Sequence, residues 1–165
     1  MKFQFPQCLG SRAVTLLSAS IAIATALPAT AQEVVDSADC DNVNLAIKHI
    51  ALSRSGAGKL TLVLEYLNSS NFTLRPFQPD YGGGTLLVDD QGDSWPMLGM
   101  GGAVYNGKTL MPGVKTKLTY RFTKASGGGE ATKANAKILL SLVPLEKGGP
   151  GGKCEFTLKN LPIKG

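Results

Sequence analysis

From Lys59 to Leu67 the chain alternates without a break. Leu60, Leu62, Leu64 and Tyr66 fall on one face, and Lys59, Thr61, Val63 and Glu65 on the other. A period of two puts successive side chains on opposite sides of a strand, so the segment predicts a strand with one buried face. Val114–Phe122 repeats the pattern, with Leu118, Tyr120 and Phe122 opposite Lys115, Lys117, Thr119 and Arg121. Ile138, Leu140 and Leu142 alternate with Leu139, Ser141 and Val143. Cys154, Phe156 and Leu158 alternate with Glu155, Thr157 and Lys159. Shorter strand candidates lie at Phe72–Phe77, Thr85–Asp89 and Trp95–Leu98. In Asn44–Leu52 the apolar phase shifts, from Leu45 and Ile47 to Ile50 and Leu52. A β-bulge near Lys48–His49 reconciles the two halves, and an amphipathic helix fits the same spacing. No other long segment has helical periodicity. The pattern predicts an all-β, immunoglobulin-like antiparallel β-sandwich of about seven to eight strands, with a small barrel as the alternative.

Glycine separates these segments. It clusters at Gly82–Gly84, Gly101–Gly102, Gly127–Gly129 and Gly148–Gly152, the last run interrupted by Pro150, and such clusters mark turns and loops.

The N-terminus follows a different rule. Lys2 and Arg12 precede an uncharged apolar stretch, Ala13–Leu27, which leads through Pro28 into Ala29-Thr30-Ala31. Charged, apolar and small-residue regions in that order form a secretory signal peptide, and the apolar part falls short of the ~20 residues that span a bilayer. The expected organisation is a signal peptide over 1–31, an N-terminal lead-in over 32–42 and a β-sandwich domain over 43–165. Cleavage after Ala31 removes Lys2 and Arg12, which takes the net charge from +5 to +3. That excess is too small to argue for nucleic acid. No later apolar run reaches membrane length.

Export changes the meaning of the cysteines. Cys8 leaves with the signal peptide, so Cys40 and Cys154 remain as a pair in an oxidising compartment, which predicts a disulfide between the two ends of the mature chain. Intermolecular pairing is the alternative. The two are not a C-x-x-C, and no further cysteine completes a metal site.

Candidate chemistry is sparse. Gly102–Thr109 matches G-x-x-x-x-G-K-[ST], but Pro112-Gly113 arrive three residues after Thr109 and deny the helix that a phosphate loop needs, so a turn at Asn106-Gly107 is the better reading. Asp89-Asp90-Gln91-Gly92-Asp93 gathers three carboxylates but lacks the distal Glu of a Ca²⁺ loop and reads as a hairpin turn. Met97, Met100 and Met111 are the only methionines of the mature chain. Thioethers suit Cu(I), with His49 as a conceivable nitrogen ligand, and the same side chains also suit the edge of a core beside Trp95. His49 is the sole histidine and no G-x-S-x-G elbow exists, so nucleophilic catalysis finds no support. Lys115, Lys117, Arg121 and Lys124 suggest either a basic stripe or a solvated strand face. Asn68-Ser69-Ser70 and Asn71-Phe72-Thr73 match the N-glycosylation triplet.

Three stretches taken together, Leu60–Ser70, Leu86–Asp93 and Leu110–Gly113 leading into Lys117–Phe122, resemble the bacterial secreted immunoglobulin-like domains of the telokin-like and related families. The resemblance covers most of Leu45–Leu161, with glycine-rich insertions at Gly82–Gly84 and Gly99–Gly102 as departures. It implies a core strand, then a strand and hairpin, then a loop feeding another core strand, and it implies no common catalytic residues.

The sequence therefore predicts a periplasmic or secreted, non-catalytic binding or structural module of the bacterial envelope. It implies no cofactor, no nucleic acid, and an unknown protein or envelope component as partner. The candidate binding loop is Trp95, Met97, Met100 and Tyr105. The alternative is a periplasmic copper-handling protein using Met97, Met100 and Met111.

Overall fold

The computed structural model describes residues 35–77, 84–102, 109–124 and 130–165. The signal-peptide reading of 1–31, Cys8 and Tyr105 all lie outside the described residues. Among these residues nine strands follow in chain order: β1 Val35–Cys40, β2 Leu45–Gly56, β3 Lys59–Asn68, β4 Leu74–Phe77, β5 Leu86–Asp89, β6 Ser94–Gly102, β7 Lys115–Thr123, β8 Lys133–Pro144 and β9 Gly152–Lys164. The alternating segments are strands. The phase shift in Asn44–Leu52 is a bulge, with Lys48 as the extra residue between the pairs Ile47–Tyr66 and His49–Glu65. The stretch expected as a lead-in contains β1, which pairs with β9.

The expected antiparallel sandwich is not what forms. The strands β9-β2-β3-β7-β6-β5-β8 close on themselves, because β8 also pairs with β9, and make a seven-stranded barrel flanked by β1 and β4. Closure depends on two strands that turn corners. β6 pairs with β5 through Ser94–Pro96 and then, past an extra residue at Leu98, with β7 as far as Gly102. Glycines at 99, 101 and 102 let that half of the strand bend. β9 pairs with β1 over Cys154–Leu158 and with β8 from Gly152 as far as Pro162, and then swings so that Ile163 and Lys164 run parallel to Leu52 and Ser53 of β2. The swing follows a bulge at Lys159-Asn160 opposite Asn135. Asn160 takes a φ of 54°, a left-handed conformation that asparagine tolerates, and its N–H donates to the Asn135 Oδ1 at 2.9 Å. Sandwiches leave the gap between their sheets unbridged at the edges. Here bulged strands carry backbone pairing across both gaps, and one pairing is parallel.

Apolar side chains point inward and fill the barrel. Tyr66, Tyr120, Phe122, Phe156 and Leu60, Leu62 and Leu64 of β3 are all but inaccessible to solvent. The Tyr66 and Tyr120 hydroxyls hydrogen-bond each other at 2.8 Å, and the Tyr66 ring lies 5.6 Å from that of Phe156 across the interior. Burial raises the pKa of both phenols well above the ordinary range, so they stay protonated. At the barrel end, buried Asn68 donates from Nδ2 to the carbonyls of Phe72 (2.8 Å) and Leu110 (2.9 Å). The first glycosylation triplet thus has its asparagine engaged inside the fold, whereas Asn71 of the second is exposed.

The outer face carries Lys115, Lys117, Arg121, Lys137 and Glu155. Apolar-in and charged-out is the reverse of the lipid-facing apolar band of a membrane barrel. Among the described residues no helix is long and apolar enough to cross a membrane.

Candidate functional site: an outer groove over the disulfide end

The disulfide forms as expected, between Cys40 and Cys154, which are register partners on β1 and β9. Cys154 points into the core and Cys40 is half-buried against it. The next row of the sheet runs across four segments. Phe77 of β4 lies opposite Ser141 of β8, Ser141 opposite Lys153 of β9, and the Asp41 N–H donates to the Lys153 carbonyl at 2.9 Å. These side chains face outward. With Asn42, Val143 and the backbone of Gly151-Gly152 they border a groove of about 450 Å³, open to solvent, in the size range of small-molecule sites.

Two local features shape the groove. Asn42 adopts a φ of 52°, which turns the chain out of β1 and leaves Asp41 and Asn42 on the rim. Gly152 lies directly beneath the Asp41 carbonyl, so a Cβ there would overlap that oxygen. The glycine run ending at Gly152 is therefore a close-packed floor at this point and not only a loop. Gly152→Ala is expected to force β1 and β9 apart and to cost about 1–3 kcal/mol, the usual penalty for overpacking that moves backbone. Urea unfolding checks this; an unshifted midpoint rejects it.

Ser141 is the unusual group of the site. The residue is 4% exposed, its hydroxyl has no hydrogen-bond partner among the described residues, and the oxygen stays within reach of solvent where Ser141 borders the groove. Such a hydroxyl is open to water or to a ligand. Asp41 and Lys153 also have no ion-pair partner among the described residues. Phe77 is 42% exposed and Val143 44%, so one wall of the groove is apolar and the other polar.

The residues singled out from sequence lie elsewhere. Trp95 is on strand β6, 3% exposed, and its indole N–H donates to the Asp89 Oδ2 at 2.9 Å. The Lys124 ammonium sits 5.4 Å from the Trp95 ring, 3.8 Å from Asp89 and in direct contact with Asp93. Asp89 Oδ1 accepts the N–H groups of Gln91 (3.0 Å) and Asp93 (2.9 Å). The acidic run is thus a hairpin turn organised around one buried carboxylate. Burial pushes that carboxyl upward, but the indole, the two backbone donors and the Lys124 charge outweigh it and hold it below the usual carboxylate range.

Engagement with Asp93 and Asp89 takes Lys124 out of the basic stripe. Lys115 pairs with Glu65 at 3.6 Å, and Lys117 and Arg121 stay on the outer face of β7. Met97 is half-buried against the core, the Met100 backbone pairs with Tyr120, and Met111 is 53% exposed between bridges at Leu110 and Pro112. Those bridges make the chain after Thr109 extended, where a phosphate loop requires a helix. Exposed Leu86 and Pro96 are register partners beside the expected binding loop, with exposed Leu98 just beyond on β6.

Sequence reasoning passed over the groove because its residues come from four separate segments. Ser141 offered the one local signal, as the only polar residue within the run Ile138–Val143.

Comparisons with protein-family models, with curated proteins and with solved structures found no match.

Proposed function

We propose that the protein is an exported, non-catalytic β-barrel module of the bacterial envelope, and that it binds a ligand in the groove between Phe77 and Asp41. The observation that carries this reading is a groove of ligand size in which the Ser141 hydroxyl, without a protein partner among the described residues, lies between an apolar wall and a polar rim. A bound molecule with its own hydroxyl or amide takes the place of water on that group. The barrel interior is filled by leucines and aromatic rings, which favours an outer site over an internal one. The sole histidine, His49, lies on β2, which does not border the groove, and this supports binding over catalysis.

Export and binding are tested separately. Expressed with its leader, the protein is expected in the periplasm or medium with Gln32 as its first residue; a chain that stays in the cytoplasm with Met1 intact overturns export. For binding, the purified mature protein is incubated with a small-molecule and glycan extract of the native envelope and analysed by native mass spectrometry. A retained adduct that Phe77→Ala loses supports the groove. No adduct, or one that the variant keeps, overturns it.

A further inference from the structure

Resting on the reading of the protein as a binding module, we propose that the groove takes a neutral pyranose residue of a glycan. The inference follows from the order of groups across it. Phe77 and Val143 form one apolar wall, and Ser141 lies at the centre. Asp41, Asn42 and Lys153 form the opposite rim. A pyranose has the matching anatomy, an apolar C–H face on one side of the ring and vicinal hydroxyls around it. Each sugar hydroxyl both donates and accepts. Recognising neighbouring hydroxyls therefore needs donors and acceptors side by side. Asp41 only accepts, Lys153 only donates, and Ser141 and Asn42 do both.

Charge narrows the class. Asp41 and Lys153 stand on the same rim with opposite signs, and neither has an ion-pair partner among the described residues. The rim thus has no net charge to select an anionic polymer. The Ser141 hydroxyl, accessible and without a protein partner among the described residues, fits a ligand hydroxyl that replaces water as its hydrogen-bond partner. The apolar wall supplies the contact that a freely soluble polyol lacks in water, because aromatic and aliphatic surface gains by covering the sugar's C–H face.

The test follows backbone amides of the mature, disulfide-bonded protein by NMR while cellohexaose, chitohexaose or maltohexaose is added. At least one of the three is expected to give saturable shifts at Ser141, Val143, Gly152 and Lys153, with a Kd on the order of 1 mM or tighter. Ser141→Ala and Phe77→Ala are each expected to weaken binding roughly tenfold. Ser141→Thr, which restores the hydroxyl, is expected to recover most of the loss. Lys48→Ala, at the bulge of β2 away from the groove, is expected to change nothing.

A tripeptide with a free carboxylate, Ala-Ala-Phe, separates the two levels of the proposal. Groove shifts with the tripeptide and none with any sugar at about 10 mM overturn the pyranose and leave the binding module standing. Silence from all probes, together with an envelope adduct that Phe77→Ala loses, does the same. Silence from all probes and from the extract overturns both. Equal sugar binding by Ser141→Ala removes the hydroxyl from the recognition.

Discussion

Replacing Cys40 and Cys154 together with alanine is expected to lower the unfolding free energy by about 4–5 kcal/mol. The bond closes a loop with a sequence separation of 114 residues, and the restriction it places on the unfolded chain grows with loop length. Typical domains are stable by only ~5–15 kcal/mol, so the loss is a large fraction of the whole. It should also be felt unevenly. β1 is a polar strand at the end of the sheet, held to β9 by its backbone ladder and by this bond. The double variant is therefore expected to lose amide protection along Val35–Cys40 before the barrel opens. Asp41 and Asn42, which follow directly, should lose their place on the groove rim with it. Urea unfolding of the oxidised protein and the double variant measures the global term. A difference under about 1 kcal/mol would show that the folded barrel, and not the crosslink, holds the ends together.

The same strand shows why part of the fold was hidden in the sequence. Val35–Cys40 reads VDSADC, with no alternation and few β-formers. It is a strand because β9 offers it a partner and the disulfide fixes its register, both tertiary facts. β3, β7 and β8 were legible because each buries one face and keeps period two over most of its length. Barrel and sandwich could not be separated on that basis, because a strand alternates identically in either. The difference lies in three local features: the extra residue at Leu98, the glycines that follow it, and the left-handed Asn160. Asn160 carries no mark in a sequence, since asparagine is equally at home in an ordinary turn. The phase shift at Lys48 did announce its bulge, because there the apolar face itself changed parity.

The candidate site divides along the same line. Residues close in sequence, such as Trp95 and its methionine neighbours, drew attention as a cluster, yet Trp95 serves the interior. Phe77, Ser141, Lys153 and Asp41 share one row across the sheet although up to 112 residues separate Asp41 from Lys153. Only strand register brings them together. Local composition points to side chains that are unusual in kind, whereas a binding groove on a sheet is built from ordinary residues in unusual company.

Asp89→Ala is expected to cost about 3–5 kcal/mol, the range for removing one member of a buried charge pair. The substitution strands the Trp95 indole N–H and the backbone N–H groups of Gln91 and Asp93, and it leaves Lys124, 9% exposed at its side chain, with Asp93 alone. Asp89→Asn tests the charge apart from the shape, since it keeps a carbonyl oxygen to accept hydrogen bonds. Its pH dependence has a fixed sign. The folded carboxyl titrates below its unfolded value near 3.9, so the charge contributes stability above that pH, and the contribution disappears as pH falls through the folded pKa. Wild type should lose stability on acidification below about pH 4, and Asp89→Asn should lose less over the same window while starting lower. The acid loss will not vanish in the variant. Asp90 and Glu146, lowered by hydrogen bonds from Thr132 and Thr73, contribute with the same sign. Trp95 is the sole tryptophan, so its fluorescence reports on this cluster directly. Parallel acid profiles for wild type and Asp89→Asn would show that the Lys124–Asp89 attraction adds nothing beyond the hydrogen bonds. Parallel profiles together with a fully stable Asp89→Ala would remove the turn from the determinants of the fold.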